Sequence, residues 1–188
     1  QRQMCIRDSV ENEHKKGNIK VYKVDKDNNR VVLGNVEFDL FSHEFNKVIG
    51  TYHTDVNGEL EIKDLRIGDY SLIEKETNKW YNLAEDTEVE VEWNLTKELQ
   101  IENELKKGSI KIIKVDEEDN EVKLENVKFK VMDKDGNVLE ELITDENGEA
   151  ETSSYPIRDY SELKIQEVET LDTYVLDDEI PVSYTHLR

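Results

Sequence analysis

The chain has 188 residues, which is enough for one or two ordinary domains, and 37% of its residues are charged, with a formal net charge of -20. A surface this acidic repels phosphate groups, which argues against nucleic acid and anionic membrane surfaces as partners. The chain also has no run of apolar residues long enough to cross a bilayer, so we expect no membrane insertion in this fragment.

Both ends of the chain have the pattern of translated sequencing-adapter DNA. The run "MCIRD" (4–8) can be encoded by a DNA string whose reverse complement encodes "VSYTH" (182–186), and this string resembles a transposon-end adapter. We therefore set residues 1–9 and 182–188 aside from the fold. The only cysteine, Cys5, lies in the first of these segments, so we expect neither disulfides nor cysteine-based metal sites.

The strongest organisational signal is an internal repeat. The run "VENEHKKGNIKVYKVD" (10–25) recurs as "IENELKKGSIKIIKVD" (101–116), and the offset from Lys23 to Lys114 is 91 residues (114 − 23 = 91). Each copy is long enough to bury its own core, so the period indicates a domain rather than a solenoid unit. The predicted organisation is the last strand of a preceding repeat with its linker (10–16), one complete domain (17–105) and a second domain that lacks its final strand (106–181).

Within each repeat the hydrophobic pattern is typical of β-strands throughout. In chain order, the alternating runs of the first repeat are "NIKVYKV", "VEFDLF", "ELEI", "YSLIE", "EVEVEW" and "ELQIENE". Clusters of Asn, Asp and Gly separate these runs and favour turns, because Asn and Gly accept positive φ. Several short strands at regular spacing predict an antiparallel β-sandwich, so the fold class is all-β.

The acidic turns could instead be calcium sites, since Asp-rich loops with a central glycine are typical of calcium-binding loops. Counted from Asp25, the loop "DKDNNRVVLGNVE" (25–37) lacks the glycine at position 6 and the glutamate at position 12 of the twelve-residue calcium pattern. We therefore interpret the acidic loops as hairpin turns and expect no metal and no cofactor.

Three strands of the first repeat place a polar residue where the alternation predicts the core. Lys23 ends the series begun by Ile19 and Val21. Glu74 and Asn103 end the corresponding series of "DYSLIE" and "LQIEN". Each residue alone has a simpler explanation, namely a lysine that reaches back to water, an exposed strand end or a turn residue. A buried Lys–Glu salt bridge would explain two of them but gives the asparagine no role. The counterparts are Lys114 and Glu167 in the second repeat and Asn12 in the stub of the preceding one.

Together these three residue types can form an amide bond inside a dry core. Burial disfavours the charged forms of both Lys and Glu, so the lysine becomes a neutral nucleophile while the glutamate keeps a proton. The protonated glutamate can donate to the asparagine side-chain carbonyl, and attack on the carboxamide carbon with loss of ammonia leaves a Lys–Asn bond. This is one self-crosslinking event rather than turnover of a substrate, so we do not expect an enzyme.

The motifs, in this order, resemble the collagen-adhesin B-type (Cna-B) or SpaA-like domains of Gram-positive surface proteins and pilins. The lysines of both repeats lie in "KVD", which resembles the family's first strand, and "TDVNGELEIKDLRIGDYSLIE" resembles its turn-to-strand signature. Glu74 lies seven residues before Tyr81, and Glu167 lies seven before Tyr174, as the family's catalytic glutamate does. The loops "TNKWY" and "TLDTY" depart from the family pattern because they lack its Ala-Pro and Gly.

The resemblance implies tandem immunoglobulin-like, prealbumin-like sandwiches, the second truncated. It implies an isopeptide bond between Lys23 and Asn103, whose "IENE" resembles the family's final strand. Glu74 would be the catalyst of this bond, and Glu167 would have the same role in the second repeat. The bonding partners of Lys114 and Asn12 are expected beyond the two ends of this chain, so we predict no crosslink at either residue.

Two functions are compatible with these features. The first, implied by the resemblance, is a stalk segment of an adhesin or pilin that is anchored to the cell wall outside a Gram-positive cell. Its partners would be neighbouring repeats of the same chain, with distal domains contacting host matrix protein or glycan. The alternative is a module that itself binds host protein or glycan, with Trp80 and Tyr81 of "KWYNL" as the candidate patch. A transthyretin-like hydrolase would need converging histidines, a pattern not formed by His14, His43, His53 and His186.

Overall fold

The computed structural model describes residues 12–176 and the backbone of 180–183, which fall into two units that divide between Glu104 and Leu105. The strands of the first unit are β1 (Lys16–Asp25), β2 (Glu37–Ser42), β3 (Lys47–His53), β4 (Glu59–Arg66), β5 (Gly68–Glu76), β6 (Thr87–Val91) and β7 (Thr96–Asn103). Those of the second unit are β8 (Lys107–Gly108), β9 (Lys111–Ile113), β10 (Lys128–Asp133), β11 (Val138–Ile143), β12 (Glu149–Glu151), β13 (Tyr155–Pro156), β14 (Glu162–Glu169) and β15 (Ile180–Ser183). The described residues contain no helix, and hence none that is long and apolar enough to span a membrane. The all-β prediction is confirmed.

The first unit is a sandwich of two sheets. One sheet has the strand order β4-β1-β7, and the other has the order β3-β2-β5-β6. The pairings are antiparallel except that of β1 with β7, which run parallel, with Lys23 opposite Ile101 and Asp25 opposite Asn103. The first and last strands of the domain are therefore direct neighbours, and their carboxyl ends lie at the same end of the sheet.

Period-two alternation accounts for the core of this unit. In β1, Ile19, Val21 and Lys23 are fully buried, whereas the residues between them are partly exposed. In β2, Phe38 and Leu40 are buried in the same alternating way. Successive side chains point to opposite faces of a strand, so every second residue faces the opposing sheet. Burial of these apolar residues holds the two sheets together.

Two turns hold the main chain of Lys23 in place. Its amide donates to the Gly58 carbonyl over 2.8 Å, and its carbonyl accepts from the Leu33 amide over 2.9 Å. Gly58 has a φ of +73°, and a Cβ atom there would lie 2.6 Å from the Lys23 carbonyl oxygen, so this turn requires glycine. The second unit has the same contact, since the Lys114 amide donates to the Gly148 carbonyl over 2.8 Å.

In the second unit, the strands from β9 to β15 correspond to the strands of the first unit from β1 to β6. The sheet β11-β10-β14-β15 corresponds to β3-β2-β5-β6, and β9 pairs with β12 as β1 pairs with β4. A further short pair joins β8 to β13. Within the residues that the structure describes, β9 has no second neighbour, so the position of β7 has no counterpart there.

Strand β15 crosses one boundary that the sequence analysis placed between residues 181 and 182. It pairs antiparallel with β14, with Ile180 opposite Ile165, and it continues through residues 182 and 183. These two residues were set aside with 182–188, yet they belong to a strand. The reason is that a β-ladder is formed by main-chain groups, so pairing can continue whatever side chains the segment carries. Residues 184–188 lie outside the described residues.

The amino-terminal segment is described from Asn12 onward. The sequence predicts the last strand of a preceding repeat and a linker over residues 10–16. In the structure, residues 12–15 form no strand and Lys16 already begins β1, while residues 1–11 lie outside the described part.

Candidate functional site

Lys23 is the centre of a buried polar cluster in the first unit. Its side chain is fully buried, and its Nζ atom lies 3.1 Å from Glu74 Oε2 and donates a hydrogen bond to Asn103 Oδ1. The Phe38 ring covers the amine at 5.9 Å from the ring centroid. Burial lowers the pKa of Lys23, and the nearby Glu74 carboxylate opposes that shift. The site therefore disfavours a charged amine, which is the condition for a nucleophilic lysine.

Glu74 bridges the amine and the amide of this cluster. It lies on β5, in the sheet opposite Lys23, and is buried. Its Oε1 atom accepts a hydrogen bond of 2.6 Å from Asn103 Nδ2, while Oε2 faces Lys23 Nζ and also accepts from the Ala84 amide at 3.1 Å. Each carboxylate oxygen thus faces a different nitrogen, an arrangement that can move a proton from one nitrogen to the other.

Asn103 ends β7 and points its amide into the same cluster. Its carbonyl oxygen accepts from Lys23, and its nitrogen donates to Glu74 and, over 2.9 Å, to Thr77 Oγ1. This differs from the expectation that the glutamate contacts the carbonyl oxygen. The reason is the chemistry of the partners, because an ammonium group only donates and so takes the amide oxygen, leaving the amide hydrogens for the oxygens of Glu74 and Thr77.

A loop after β5 closes over the cluster. The Tyr81 hydroxyl donates to Asp25 Oδ2 at 2.8 Å, and the Asn82 amide donates to the Glu104 carbonyl at 2.9 Å. Asp25 is buried, and its other oxygen accepts from the Asp27 amide at 2.8 Å in the turn after β1. The loop is therefore tied to the ends of both β1 and β7, the two strands that carry Lys23 and Asn103.

Sequence reasoning missed two residues of this site. Asp25 is part of the "KVD" motif and Thr77 begins the divergent loop "TNKWY", but neither motif predicts a role for these two side chains. A usable signal was present, because both positions recur in the second repeat as Asp116 and Thr170.

The second unit reproduces half of the cluster. Lys114 Nζ lies 3.1 Å from Glu167 Oε2, the same separation as in the first unit, although 16% of the Lys114 side chain is exposed. The Tyr174 hydroxyl donates to Asp116 Oδ2 at 2.7 Å, and this bond lowers the pKa of Asp116 and raises that of Tyr174. Asn12, the remaining predicted crosslink residue, lies in the exposed segment before β1 and is not in a strand.

The acidic turns use their carboxylates to hold the main chain. Asp55 Oδ1 accepts from the amides of Asn57 and Glu59, and Asp133 Oδ1 accepts from those of Asp135 and Asn137. These are the side-chain hydrogen bonds expected of Asp in turns. In residues 12–176, where side chains are described, no group of three or more His, Cys, Asp or Glu residues could hold a metal ion.

The three histidines that the structure describes do not form a hydrolytic site, and His186 lies outside the described residues. His43 Nε2 lies 2.8 Å from Ser71 Oγ and 3.0 Å from Glu88 Oε2, so serine and glutamate approach the same ring nitrogen. A serine–histidine–carboxylate triad needs them on different nitrogens. His53 contacts Glu37 on the surface, and His14 is exposed.

The aromatic patch proposed for ligand binding is mostly unavailable. Tyr81 is only 4% exposed and is used inside the loop closure described above. Trp80 is partly exposed and stacks against the Lys79 amine, which lies 4.5 Å from the ring centroid.

The two sheets and the buried Lys–Glu–Asn cluster define the first unit as a prealbumin-like sandwich. The profile of one family, SpaA, described as a prealbumin-like fold domain, matches residues 17–105 and 108–185. The chain therefore belongs to the SpaA prealbumin-like fold domain family, and the predicted tandem prealbumin-like organisation is confirmed. Among curated proteins, none matches this sequence.

Among the solved structures that are similar to this chain, the Bacillus anthracis TIE protein shows the same fold. It is 28% identical, with a TM-score of 0.71 over 90% of this chain and 31% of that one. A streptococcal ancillary pilin is 22% identical (TM-score 0.44, covering 92% and 59% of the two chains). The shaft pilin SpaA from Lactobacillus rhamnosus GG is 17% identical (TM-score 0.41, covering 89% and 93%). This chain thus spans about a third of the length of the TIE protein.

Proposed function

We propose that this chain is a segment of the structural stalk of a Gram-positive surface protein or pilin. In this proposal its first repeat is closed by an intramolecular isopeptide bond between Lys23 and Asn103, with Glu74 as the proton carrier. The observation that supports it is the contact of these three side chains in the core, where an ammonium, a carboxylate and an amide would otherwise be costly to bury.

The geometry suits a balanced sequence of bond and proton transfers. One proton moves from the Lys23 ammonium to Glu74, which turns the ion pair into a neutral pair that a dry core favours. Nζ then attacks Cγ of Asn103, and Glu74 gives its proton to Nδ2. The Cγ–Nδ2 bond breaks, ammonia leaves, and the surplus proton on Nζ returns to Glu74. Proximity is the main contribution, because an amide is a poor electrophile.

The strand order gives such a bond a mechanical role. Because β1 and β7 are parallel neighbours, the chain enters the sheet at Lys16 and leaves it at Asn103, at the opposite end. A pull on the chain would therefore shear these two strands along each other. A bond from Lys23 to Asn103 would carry the load from strand to strand and leave residues 24–102 outside the load path.

The surface location rests on similarity. The chain belongs to the SpaA family and shares 28% identity with the Bacillus anthracis TIE protein across most of its length. In the proposal the protein is extracellular and anchored to the cell wall, neighbouring repeats are its partners, and distal domains contact host protein or glycan. It turns over no external substrate. We do not favour a ligand-binding role for this segment itself, because Tyr81 of the candidate patch is buried.

Intact mass measurement tests the bond. The purified chain should be lighter than its sequence by one ammonia, and Glu74→Ala should restore the full mass expected for that variant. Asn57–Gly58 can also lose ammonia by cyclising on its own backbone, so the loss must be located in a proteolytic peptide that joins Lys23 to Asn103. A wild-type chain of full mass refutes the bond.

Single-molecule stretching tests the mechanical role. When the chain is pulled from its two ends, the first repeat should give no unfolding step in the wild-type protein, and Glu74→Ala should add one. The matched control is Glu167→Ala, which should leave the behaviour of the first repeat unchanged. A first repeat that extends fully while the bond is present contradicts the proposed load path.

A further inference from the structure

The amide nitrogen of Asn103 has a second, partly buried contact besides Glu74. Thr77 is half-buried at the start of the loop after β5, and its Oγ1 atom lies 2.9 Å from Asn103 Nδ2. A primary amide nitrogen carries two hydrogens, and here Glu74 Oε1 receives one and Thr77 receives the other. Both hydrogens of the nitrogen that would leave as ammonia are thus directed by the protein.

The second repeat places a threonine at the corresponding position. Thr170 follows Glu167 by three residues, as Thr77 follows Glu74. It is also half-buried, and its Oγ1 atom is buried with no hydrogen-bond partner in the part of the chain that the structure describes. A buried hydroxyl is normally hydrogen-bonded, so this oxygen is set for a polar group of the kind that Asn103 supplies in the first repeat.

We propose that Thr77 takes part in bond formation by holding the departing nitrogen of Asn103. This inference rests on the proposed Lys23–Asn103 bond. Because Glu74 and Thr77 accept both amide hydrogens, the side-chain amide of Asn103 cannot rotate, and its carbonyl oxygen stays directed at Lys23. As Glu74 protonates the nitrogen, that atom gains positive charge, which the lone pairs of the threonine oxygen stabilise.

Glu74 cannot supply both contacts itself. Its Oε2 atom is engaged by Lys23 Nζ and the Ala84 amide, so only Oε1 remains for the asparagine nitrogen. Without the hydroxyl at Thr77, one amide hydrogen would face the core without an acceptor. The amide would then lose its fixed orientation, which is the main condition for the reaction.

The test compares Thr77→Val, which removes the hydroxyl and keeps the shape, with Thr77→Ser, which keeps the hydroxyl. The full chain is made by cell-free translation, synthesis is stopped, and loss of ammonia is followed by intact mass. Thr77→Val should slow the bond by roughly ten- to a hundredfold, and Thr77→Ser should restore most of the rate. Thr170→Val is the matched control and should leave the rate in the first repeat unchanged.

A second measurement distinguishes a role of Thr77 in bond formation from a role in folding stability alone. In a Lys23→Met/Glu74→Gln background, where no bond forms and no charge is left unpaired, Thr77→Val should lower the thermal midpoint of the first repeat only by the loss of one hydrogen bond. The domain should therefore stay folded at the temperature of the rate assay. If Thr77→Val does not fold, Thr77→Ala supplies the same comparison. A Thr77→Val chain that is bonded as early as the wild type overturns the inference, as does equal slowing in Thr77→Ser. A wild-type chain that never loses ammonia refutes the proposed bond itself.

Discussion

The size of the stabilisation that the proposed Lys23–Asn103 bond would provide can be predicted from the structure. We consider the double variant Lys23→Met/Glu74→Gln, which removes the amine and the carboxylate together and keeps side-chain volumes similar. The bonded domain contains no ammonium at Lys23, so this exchange leaves no unpaired charge in the core. What it removes is the covalent closure of the loop between Lys23 and Asn103.

That loop spans 80 residues. By analogy with a disulfide, closing a loop of this length in the unfolded chain stabilises the folded state by about 4–5 kcal/mol. For a domain of this size, each kcal/mol shifts the thermal midpoint by about 4–8 °C, so the double variant should melt about 15–40 °C lower. The single variant Glu74→Gln should melt lower still, because it leaves the Lys23 ammonium buried without its carboxylate, at a cost of about 3–5 kcal/mol.

Differential scanning calorimetry of the full chain measures both effects, and the second unit provides an internal reference transition. The matched control, Lys114→Met/Glu167→Gln, should shift only the transition of the second unit. Mass spectrometry must show that the wild-type chain is bonded and the variants are not. If a bonded wild type and the Lys23→Met/Glu74→Gln variant melt within about 5 °C of each other, the loop-closure reasoning is wrong.

Three further predictions concern the surroundings of the bond. In Asn103→Ala the amine of Lys23 cannot form the bond. Burial lowers the pKa of this amine in the folded state below its ordinary value of 10.5, so below that pH the unfolded chain binds more protons than the folded one. The free energy of unfolding should therefore rise with pH up to about 10.5. Urea unfolding at several pH values checks this, and an added Lys23→Met should abolish the slope. Gly58→Ala should destabilise the first unit by about 1–3 kcal/mol in urea unfolding, because its Cβ would meet the Lys23 carbonyl at positive φ. Tyr81→Phe removes the hydrogen bond to Asp25 and should reduce the free energy of unfolding by about 1 kcal/mol, and no change would mean that the loop closes without it.

The sequence was informative about which face of each strand is buried. Alternation in "IKVYKVD" predicts that Ile19, Val21 and Lys23 share the core face, and all three are fully buried. The signal is strong because a strand has a strict period of two, so one apolar series fixes the direction of every side chain in it. A lysine within such an apolar series is therefore itself a prediction of a buried amine.

Other features could not be read from local pattern. The parallel pairing of β1 with β7 joins residues such as Lys23 and Ile101 that are far apart in sequence, and alternation is the same for parallel and antiparallel neighbours. The contact of Thr77 with Asn103 depends on the path of a loop, which has no period. The orientation of the Asn103 amide depends on three partners at once, so it follows only when their positions are known.

The main chain at Lys23 is fixed independently of its side chain. Gly58 and Leu33 occupy its amide and carbonyl, and the Lys114 amide has the matching bond to Gly148. Replacing either lysine by another residue would leave these main-chain hydrogen bonds intact. The backbone shape of the module therefore does not depend on whether its lysine side chain can react. If the Lys23–Asn103 bond forms as proposed, one codon change at the lysine would convert a module that resists extension into one that unfolds under tension. An array built in this way can set its compliance module by module.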